Sequence, residues 1–358
     1  MKIHNFSAGP SILPQEVFKE ASHAVIDFQN TGLSLLEMSH RSKEFDAVLN
    51  EAVDLVHELL QVPDGFKVLF LSGGASTQFV LAPMNLLPQN GKAAYINTGT
   101  WSDKAIKEAK AFGDIDVVAS SKEDNYTHIP KNIQVPDDAA FLHLTTNNTV
   151  FGTQFRKLPD AAVPIVADMS SDIFSYGVDF DRMGLIYAGA QKNMGPAGTT
   201  LVIVREDLLG KTGRHLPSMF DYKVHIKKNS AFNTPPVFPI YVSMLNLRWV
   251  KKMGGIKAME ERSIARSEMI YGEIDRNPLF RGTTAVADRS RMNATFVFEE
   301  KYQSLESDFF EACKEAGISG IKGHRSVGGF RASMYNAMEP DSVRVLVDVM
   351  KDFESRKG

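Results

Sequence analysis

The sequence predicts an α/β protein with two domains: a large domain built on a mostly parallel sheet, and a smaller α+β domain at the C-terminus. Three observations favour this fold class. Short apolar runs alternate with helical segments over the first two thirds of the chain, which is typical of parallel sheets covered on both faces. The chain has 358 residues, more than one compact domain usually contains. The pattern changes near Gly254 and Gly255, so we predict domains at residues 1–255 and 256–358.

The predicted elements follow in order along the chain. Residues 43–60 carry apolar side chains at spacings of three and four, which predicts an amphipathic helix with one buried face. Five apolar runs predict strands of the large domain: Val68 to Leu71, Ala93 to Ile96, Ala140 to Leu144, Ile165 to Ala167 and Leu185 to Tyr187. The small domain is predicted to hold a long charged helix, a strand at Asn293 to Phe298, a helix at Leu305 to Ala316, a strand near Arg331 to Tyr335 and a closing helix from Asp341.

Composition argues against several classes of function. The net charge of −3, from 40 basic and 43 acidic residues, offers no general attraction for nucleic acid or an anionic membrane. The N-terminus lacks a secretory signal pattern and no apolar run could span a bilayer, so we expect a protein that is neither exported nor embedded. The single cysteine, Cys313, excludes an internal disulfide and a multi-cysteine metal site. It predicts a cytoplasmic protein without a metal.

The strongest local motif is AGAQKNMGPAG, which follows a predicted strand and contains Lys192. A lysine that forms a Schiff base with a flat cofactor needs small neighbours, because the cofactor must lie against the backbone. Glycine and alanine surround Lys192. A lysine in a glycine-rich turn is nevertheless more often an ordinary loop residue, so the motif alone leaves both interpretations open.

An acidic residue, Asp168, ends the predicted strand VPIVA that precedes Lys192. Pyridoxal 5'-phosphate (PLP) requires a carboxylate beside its pyridine nitrogen, because the protonated nitrogen makes the ring an electron sink. A buried carboxylate without a partner is costly, so Asp168 needs one. Together with Lys192 this residue favours a PLP site. The alternative is that Asp168 caps the turn formed by Ser170 and Ser171.

Two further loops follow predicted strands and suit the same cofactor. The turn GGAST leads into a helical pattern near Gln78, and the free N–H groups of a helix N-terminus bind phosphate. Trp101 of NTGTW follows the next strand, where its indole can stack on a flat ring. Glycine-rich turns often lack ligands and tryptophan is more often a core residue, so these motifs support the PLP hypothesis without establishing it.

With these motifs in place, the chain resembles the class V aminotransferases, PLP enzymes of fold type I. The resemblance spans the whole chain and is carried by FSAGPSILP, MSHRSKEF, LSGGAS, NTGTWS, HLTTNNTVFGT, ADMSSD, AGAQKNMGPAG, NTPP and GHRSVGGFRASMYNA. It implies a homodimer that moves an amino group from L-glutamate, which becomes 2-oxoglutarate, to a phosphorylated 2-oxo acid. We expect 3-phosphooxypyruvate as the acceptor, in serine biosynthesis, and also its four-carbon analogue, which belongs to pyridoxine synthesis.

The resemblance also implies a role for individual residues. Lys192 would be the Schiff-base lysine and catalytic base, and Asp168 the partner of the pyridine nitrogen. Trp101 would stack on the cofactor ring and Thr149 would bind its phenolic oxygen. The implied ligands of the cofactor phosphate are Ala75, Ser76, Gln191 and, from the other subunit, Asn233 and Thr234. The implied substrate-binding residues are His40, Arg41, His324, Arg325 and Arg331.

Several alternatives stay open from the sequence. Some members have an arginine in the phosphate-binding turn, where this chain has Gly-Ala-Ser-Thr, so both Ser76 and Thr77 are candidates for phosphate contact. The rival functions are another class V aminotransferase of the alanine–glyoxylate or serine–pyruvate type, a cysteine desulfurase, and a PLP-binding protein without turnover. A desulfurase needs a mobile cysteine, whereas Cys313 lies in a predicted helix.

Overall fold

The computed structural model describes residues 2–358 of the chain. Its strands are β1 (His4–Asn5), β2 (Phe66–Ser72), β3 (Lys92–Asn97), β4 (Asp114–Ser120), β5 (Leu142–Thr145), β6 (Ile165–Asp168), β7 (Met183–Gly189), β8 (Thr199–Arg205), β9 (Phe280–Gly282), β10 (Asn293–Phe298), β11 (Ile318–Ser319) and β12 (Phe330–Ser333). Its α-helices are α1 (Gln15–Ile26), α2 (Lys43–Leu60), α3 (Ala75–Leu86), α4 (Thr100–Ala109), α5 (Tyr222–Lys227), α6 (Val237–Lys252), α7 (Gly255–Arg276), α8 (Glu306–Glu315) and α9 (Pro340–Lys357).

Seven strands form the central sheet, in the order β2-β8-β7-β6-β5-β3-β4. Strand β8 runs antiparallel to its neighbours β2 and β7, and the other neighbouring pairs are parallel. The mostly parallel sheet predicted from the sequence is therefore confirmed. The sequence interpretation omits β4 and β8. Strand β4 is a half-exposed edge strand without a continuous apolar run, and it therefore lacks the signal of the buried strands.

Helices cover both faces of this sheet because side chains alternate along each strand. In β7, Ile186 packs into the core on one face and Tyr187 into the core on the other. The predicted helix at 43–60 is confirmed as α2, which begins where the Ser42 side chain accepts a hydrogen bond from the Phe45 N–H at 3.2 Å. It packs with α6 on the first face, while α3 and α4 cover the second.

The C-terminal part of the chain has its own antiparallel sheet, in the order β12-β10-β9. Its predicted strands and helices are confirmed within a few residues, as β10, α8, β12 and α9. A separate apolar cluster fills this part, and the N-terminal Phe6 belongs to it because β1 pairs with β11. The division of the chain into domains at residue 255 stays a prediction.

Within residues 2–358, the structure contains no helix with both the length and the apolar character that crossing a membrane demands.

Aromatic rings dominate the C-terminal cluster, and Phe309 lies at its centre. Its ring is 0% exposed and packs against Phe280, Phe330 and Phe353, with centroids 5.1, 4.9 and 5.2 Å away. We expect Phe309→Ala to lower the free energy of unfolding by about 3–5 kcal/mol, because it leaves a cavity in a packed core. Urea unfolding measures this loss. The neighbouring half-buried Phe310 is the matched control, and an equal loss for Phe310→Ala would contradict this account.

Candidate active site

Five loops that carry predicted site residues meet at one edge of the central sheet. Strands β2, β3, β5, β6 and β7 point in the same direction, so their carboxyl ends lie together. Asp168 is the last residue of β6. The loops after the other four strands carry Ala75, Trp101, Thr149 and Lys192, in that order. Ligands of parallel sheets bind in the crevice at this edge. The topology thus brings together five residues that lie far apart in the sequence.

The Lys192 amine lies between Thr149 and Trp101. Its Nζ donates a hydrogen bond to Thr149 Oγ1 at 2.8 Å and lies 5.2 Å from the centroid of the Trp101 ring. The N-terminal segment closes over the same turn, where the Ser11 hydroxyl donates to the Lys192 carbonyl. A Cβ on Gly9 would lie 3.1 Å from Lys192 Cγ, so a side chain there would crowd the lysine.

The Lys192 amine is set up to lose its proton near neutral pH. Burial lowers the pKa of this amine to about 8, because the charged form is poorly solvated there. The charge of Asp168 opposes that shift of the pKa, and the charge of Arg331 adds to it. A neutral amine is required of a lysine that acts as a nucleophile or as a base.

Asp168 is held through one carboxylate oxygen only. Its Oδ1 accepts hydrogen bonds from the Ser170 N–H at 3.0 Å and the Ser170 hydroxyl at 2.6 Å. That hydroxyl in turn accepts from the Gly189 N–H at 3.1 Å, which ties β6 to β7. Ser171 bonds to the Asn147 carbonyl instead. The turn-capping alternative is therefore correct for Oδ1 and Ser170, and it leaves Oδ2 available to a ligand.

The electrostatics of Asp168 favour a cationic partner. Burial raises the pKa of its carboxyl, while the positive charge of Lys192 and the Ser170 hydrogen bonds act in the opposite direction. A carboxylate in such a place is stabilised by a positively charged donor at its free oxygen. The protonated pyridine nitrogen of PLP is a donor of this kind.

The glycine-rich turn after β2 forms a cradle at the start of α3. Gly73 has a φ of 101°, and a Cβ there would lie 2.6 Å from Thr77 Oγ1, so this turn requires glycine. A Cβ on Gly189 would lie 2.9 Å from Gln191 Oε1 and 3.4 Å from the Ala75 amide nitrogen. The Gln191 side chain and the first amide of α3 thus border the same small space. A helix N-terminus with open space beside it suits a phosphate group.

A second group of basic residues includes Arg331, which contacts Thr149 as Lys192 does. Arg331 Nη1 donates to the Thr149 carbonyl at 3.3 Å, and its buried Nε has no hydrogen-bond partner. Burial lowers the pKa of His324, and the charges of Arg331, Arg325 and Lys104 lower it further. In residues 2–358, none of the three cations forms a salt bridge. Unpaired cations grouped in this way suit an anionic substrate.

Four predicted site residues are not brought to this group by the single chain. His40 and Arg41 precede α2, and Asn233 and Thr234 precede α6. His40 and Asn233 are half-buried, whereas Arg41 and Thr234 are exposed. Among the described residues, no hydrogen bond or salt bridge joins any of the four to the Lys192 group, and the Asn233 amide donates to the carbonyl of Thr234 at 3.1 Å.

Some residues of the site were not assigned from the sequence. Ser170 orients Asp168, Ser11 contacts the Lys192 carbonyl, and Lys104 lies 4.7 Å from the centroid of the Trp101 ring. Ser170 and Ser11 occur in the motifs ADMSSD and FSAGPSILP, so the sequence places them near the site without showing their contacts. Lys104 lies on the first turns of α4 and carries no motif signal.

The donor and acceptor set fits PLP. It contains a reactive amine, a buried carboxylate with a free oxygen, an aromatic ring over the amine, and a helix N-terminus suited to phosphate, contributed by Lys192, Asp168, Trp101 and Ala75. Among residues 2–358 we find no group of three or more His, Cys, Asp or Glu side chains that could hold a metal ion.

Comparisons with known proteins agree with this geometry. The aminotransferase class-V family model matches residues 3–346. A phosphoserine aminotransferase of Flavobacterium psychrophilum is 59% identical over 357 residues, which are 99% of this chain and 100% of the relative. A phosphoserine aminotransferase of Bacteroides fragilis is 56% identical over 354 residues, which are 99% of either chain.

Solved structures give the same result. Phosphoserine aminotransferase from Bacillus circulans subsp. alkalophilus superposes with a TM-score of 0.96 at 47% identity, over 100% of this chain and 99% of that one. PLP-bound phosphoserine aminotransferase from Trichomonas vaginalis gives a TM-score of 0.93 at 36% identity, over 98% and 100% of the two chains.

The chain therefore belongs to the class V aminotransferases, which are enzymes that depend on PLP. Within this class it belongs to the phosphoserine aminotransferase family, with which it shares its full length.

Arg331 should control the protonation of Lys192. We expect Arg331→Gln to raise the Lys192 pKa by about one unit in the protein without PLP, because a nearby positive charge is removed. Reductive methylation with ¹³C-formaldehyde and an NMR pH titration measure this pKa, and the resonance is assigned as the one missing in Lys192→Ala. Arg344→Gln, on the exposed face of α9, is the control. An unchanged Lys192 pKa in Arg331→Gln would contradict the electrostatic coupling.

Proposed function

We propose that this chain transfers the amino group of L-glutamate to 3-phosphooxypyruvate, giving 2-oxoglutarate and O-phospho-L-serine. The observation that carries the proposal is the position of Lys192 Nζ, 2.8 Å from Thr149 Oγ1, in a chain that belongs to the phosphoserine aminotransferase family. Arg331, which acts on this amine, has a buried Nε without a hydrogen-bond partner. A reactive amine next to an anion-binding group suits a doubly anionic oxo acid. The four-carbon analogue of 3-phosphooxypyruvate suits the same groups, and serine and pyridoxine synthesis are the corresponding pathways.

Asp168, Trp101 and the turn at the start of α3 would hold the cofactor. PLP supplies an electron-withdrawing ring that stabilises negative charge at the substrate's α carbon. Asp168 Oδ2 would accept a hydrogen bond from the protonated ring nitrogen, while Ser170 holds the other carboxylate oxygen, Oδ1, in place. The Trp101 indole would stack on the ring. The first amides of α3, with Ala75, Ser76 and Gln191, would bind the phosphate.

Lys192 moves the proton in this scheme. In the free enzyme, its pKa of about 8 leaves a substantial neutral fraction at mildly alkaline pH. When it is not bonded to the cofactor, the neutral Nζ would take the proton from the substrate's α carbon and deliver it to the C4' carbon of PLP. Thr149 Oγ1, at 2.8 Å, restricts the direction of Nζ, and it is also the residue assigned to the phenolic oxygen of PLP.

The cations beside Lys192 would bind the two acidic groups of the substrate. Arg331 grips the carboxylate that glutamate and the oxo acid share, because the planar guanidinium fork pairs with a carboxylate through two hydrogen bonds. His324, which feels the charges of Arg331 and Arg325, would bind the second acidic group together with Arg325; this group is phosphate in one substrate and a carboxylate in glutamate. One site can then serve both half-reactions.

A homodimer would complete the site. Asn233 and Thr234 would reach the partner's cofactor phosphate, and we propose that the same association brings His40 and Arg41 to the partner's substrate. Large exposed apolar side chains flank both segments, with Leu33 and Leu36 before one pair and Phe232 before the other. Exposed apolar groups at such positions favour an interface between subunits.

The state of Cys313 bears on the desulfurase alternative and on the location of the protein. The desulfurase alternative loses support, because Cys313 is 1% exposed within α8 and burial raises the pKa of its thiol to about 12. Such a thiol is neither mobile nor ionised at neutral pH. We also propose a cytoplasmic location, on the ground that this single cysteine is unpaired.

An absorption spectrum of the purified protein with PLP tests the function directly. We expect a visible band from PLP bound to lysine, its loss when L-glutamate is added, and its return with 3-phosphooxypyruvate. Lys192→Ala is the matched variant and should show neither the band nor turnover while it keeps the fold. A band that does not change when glutamate is added would favour the alternative function, a PLP-binding protein without turnover. Appreciable turnover by Lys192→Ala would remove this lysine from its role.

Substrate binding should depend on Arg331. We expect Arg331→Ala to raise KM for glutamate and for 3-phosphooxypyruvate by about 10- to 100-fold, because one charge-assisted pair is lost. Arg331→Lys should recover only part of this loss, since lysine cannot make the bidentate contact. Steady-state kinetics with each substrate varied in turn give the result. Equal KM values in the wild type and Arg331→Ala would refute the assignment.

A further inference from the structure

Asp172 is a buried carboxylate that the proposed reaction leaves without a role. It lies one turn after Asp168 and is 0% exposed. Thr146 Oγ1 donates to its Oδ1 at 2.6 Å, while the Tyr176 hydroxyl and Gln154 Nε2 donate to its Oδ2 at 2.9 and 3.2 Å. Within residues 2–358 it forms no salt bridge. Three donors but no cation therefore contact this carboxylate.

Stability alone does not explain a carboxylate at this position. Burial raises the pKa of Asp172 to about 6, although the hydrogen bonds from Thr146, Tyr176 and Gln154 act against the shift. The folded pKa exceeds the unfolded value, so the ionised form that predominates at neutral pH is disfavoured by folding. A neutral side chain of the same volume would avoid this effect. A carboxylate at a buried position without a cation beside it therefore indicates that the charge of Asp172 has a function.

Two physical links join Asp172 to the active site. The Thr146 N–H donates to the backbone carbonyl of Asp168 at 3.0 Å, and the Thr146 hydroxyl donates to the Asp172 carboxylate. Thr146 therefore contacts both acidic residues. The charge of Asp172 also acts on Lys192, whose pKa it raises, in the same direction as Asp168. The other charged group nearby is Arg156, which donates to Gln154 Oε1 at 2.9 Å and feels the charge of Asp172.

We propose that Asp172 is a positioning residue for the amine transfer: a second buried carboxylate that, through Thr146, fixes the end of β6 and adds a negative charge that acts on Lys192. This inference rests on the proposed function. A protonated ring nitrogen at Asp168 Oδ2 would offset the charge of Asp168. Asp172 would then remain as the buried negative charge that acts on Lys192 and would keep the amine basic enough to accept a proton.

The Lys192 pKa in the protein without PLP tests the proposal apart from activity. We expect Asp172→Asn to lower this pKa, because a negative charge that acts on the amine is lost. The ¹³C-methyl NMR titration of Lys192 measures it. Asp179→Asn removes an exposed carboxylate a short distance along the chain and is the matched control. The same Lys192 pKa in Asp172→Asn and Asp179→Asn would overturn the proposal.

Asp172→Ser provides a second variant, in case Asp172→Asn does not fold. It removes the same negative charge with a smaller side chain and should lower the Lys192 pKa in the same direction. With PLP, Asp172→Asn should lower kcat and leave both KM values within about twofold. Raised KM values with an unchanged Lys192 pKa would indicate a purely structural role and overturn the proposal.

A wild-type protein whose PLP absorption band does not change when glutamate is added would overturn the proposed function alone, because the Lys192 titration needs no turnover.

Discussion

The site depends on the burial of two opposite charges together, the Lys192 amine and the Asp168 carboxylate. Each alone would be costly in a poorly solvated crevice, and burial moves the pKa of each towards its neutral form. Each charge also partly offsets the shift of the other. The amine is thereby held near the point where it can lose a proton, and the carboxylate is left with one oxygen in need of a donor.

The parallel sheet makes this pairing possible. Asp168 ends β6, and Lys192 follows the neighbouring strand β7, so the two charges start from adjacent strand ends. Ser170 then connects the two strands, because its hydroxyl donates to Asp168 and accepts from the Gly189 N–H. The network continues through Thr146 to Asp172, a second buried carboxylate whose charge also acts on Lys192. Strand order and a few hydroxyl groups therefore set the electrostatics of the lysine.

The remaining part of the proposed site lies outside the reach of one chain. Arg331 acts on Lys192, and the charges of Arg331 and Arg325 act on His324, and none of these residues forms a salt bridge among the described residues. His40 and Asn233, in contrast, belong to segments with exposed apolar neighbours. Association through those segments would bury apolar surface and supply the missing polar groups at once. In the proposed dimer, substrate binding and subunit association would depend on the same residues.

The sequence by itself determined the fold class and the main strands and made Lys192 a candidate for the reactive lysine, because apolar periodicity and small residues around Lys192 are local signals. It could not show that Asp168 both caps the Ser170 turn and keeps an oxygen free, since only the folded chain sets the direction of each oxygen. The edge strand β4 was missed for lack of a local apolar run. Tertiary structure alone joined Asp172 to the end of β6 through Thr146 and set the Lys192 pKa, because burial and distance between charges arise only when separate segments pack together.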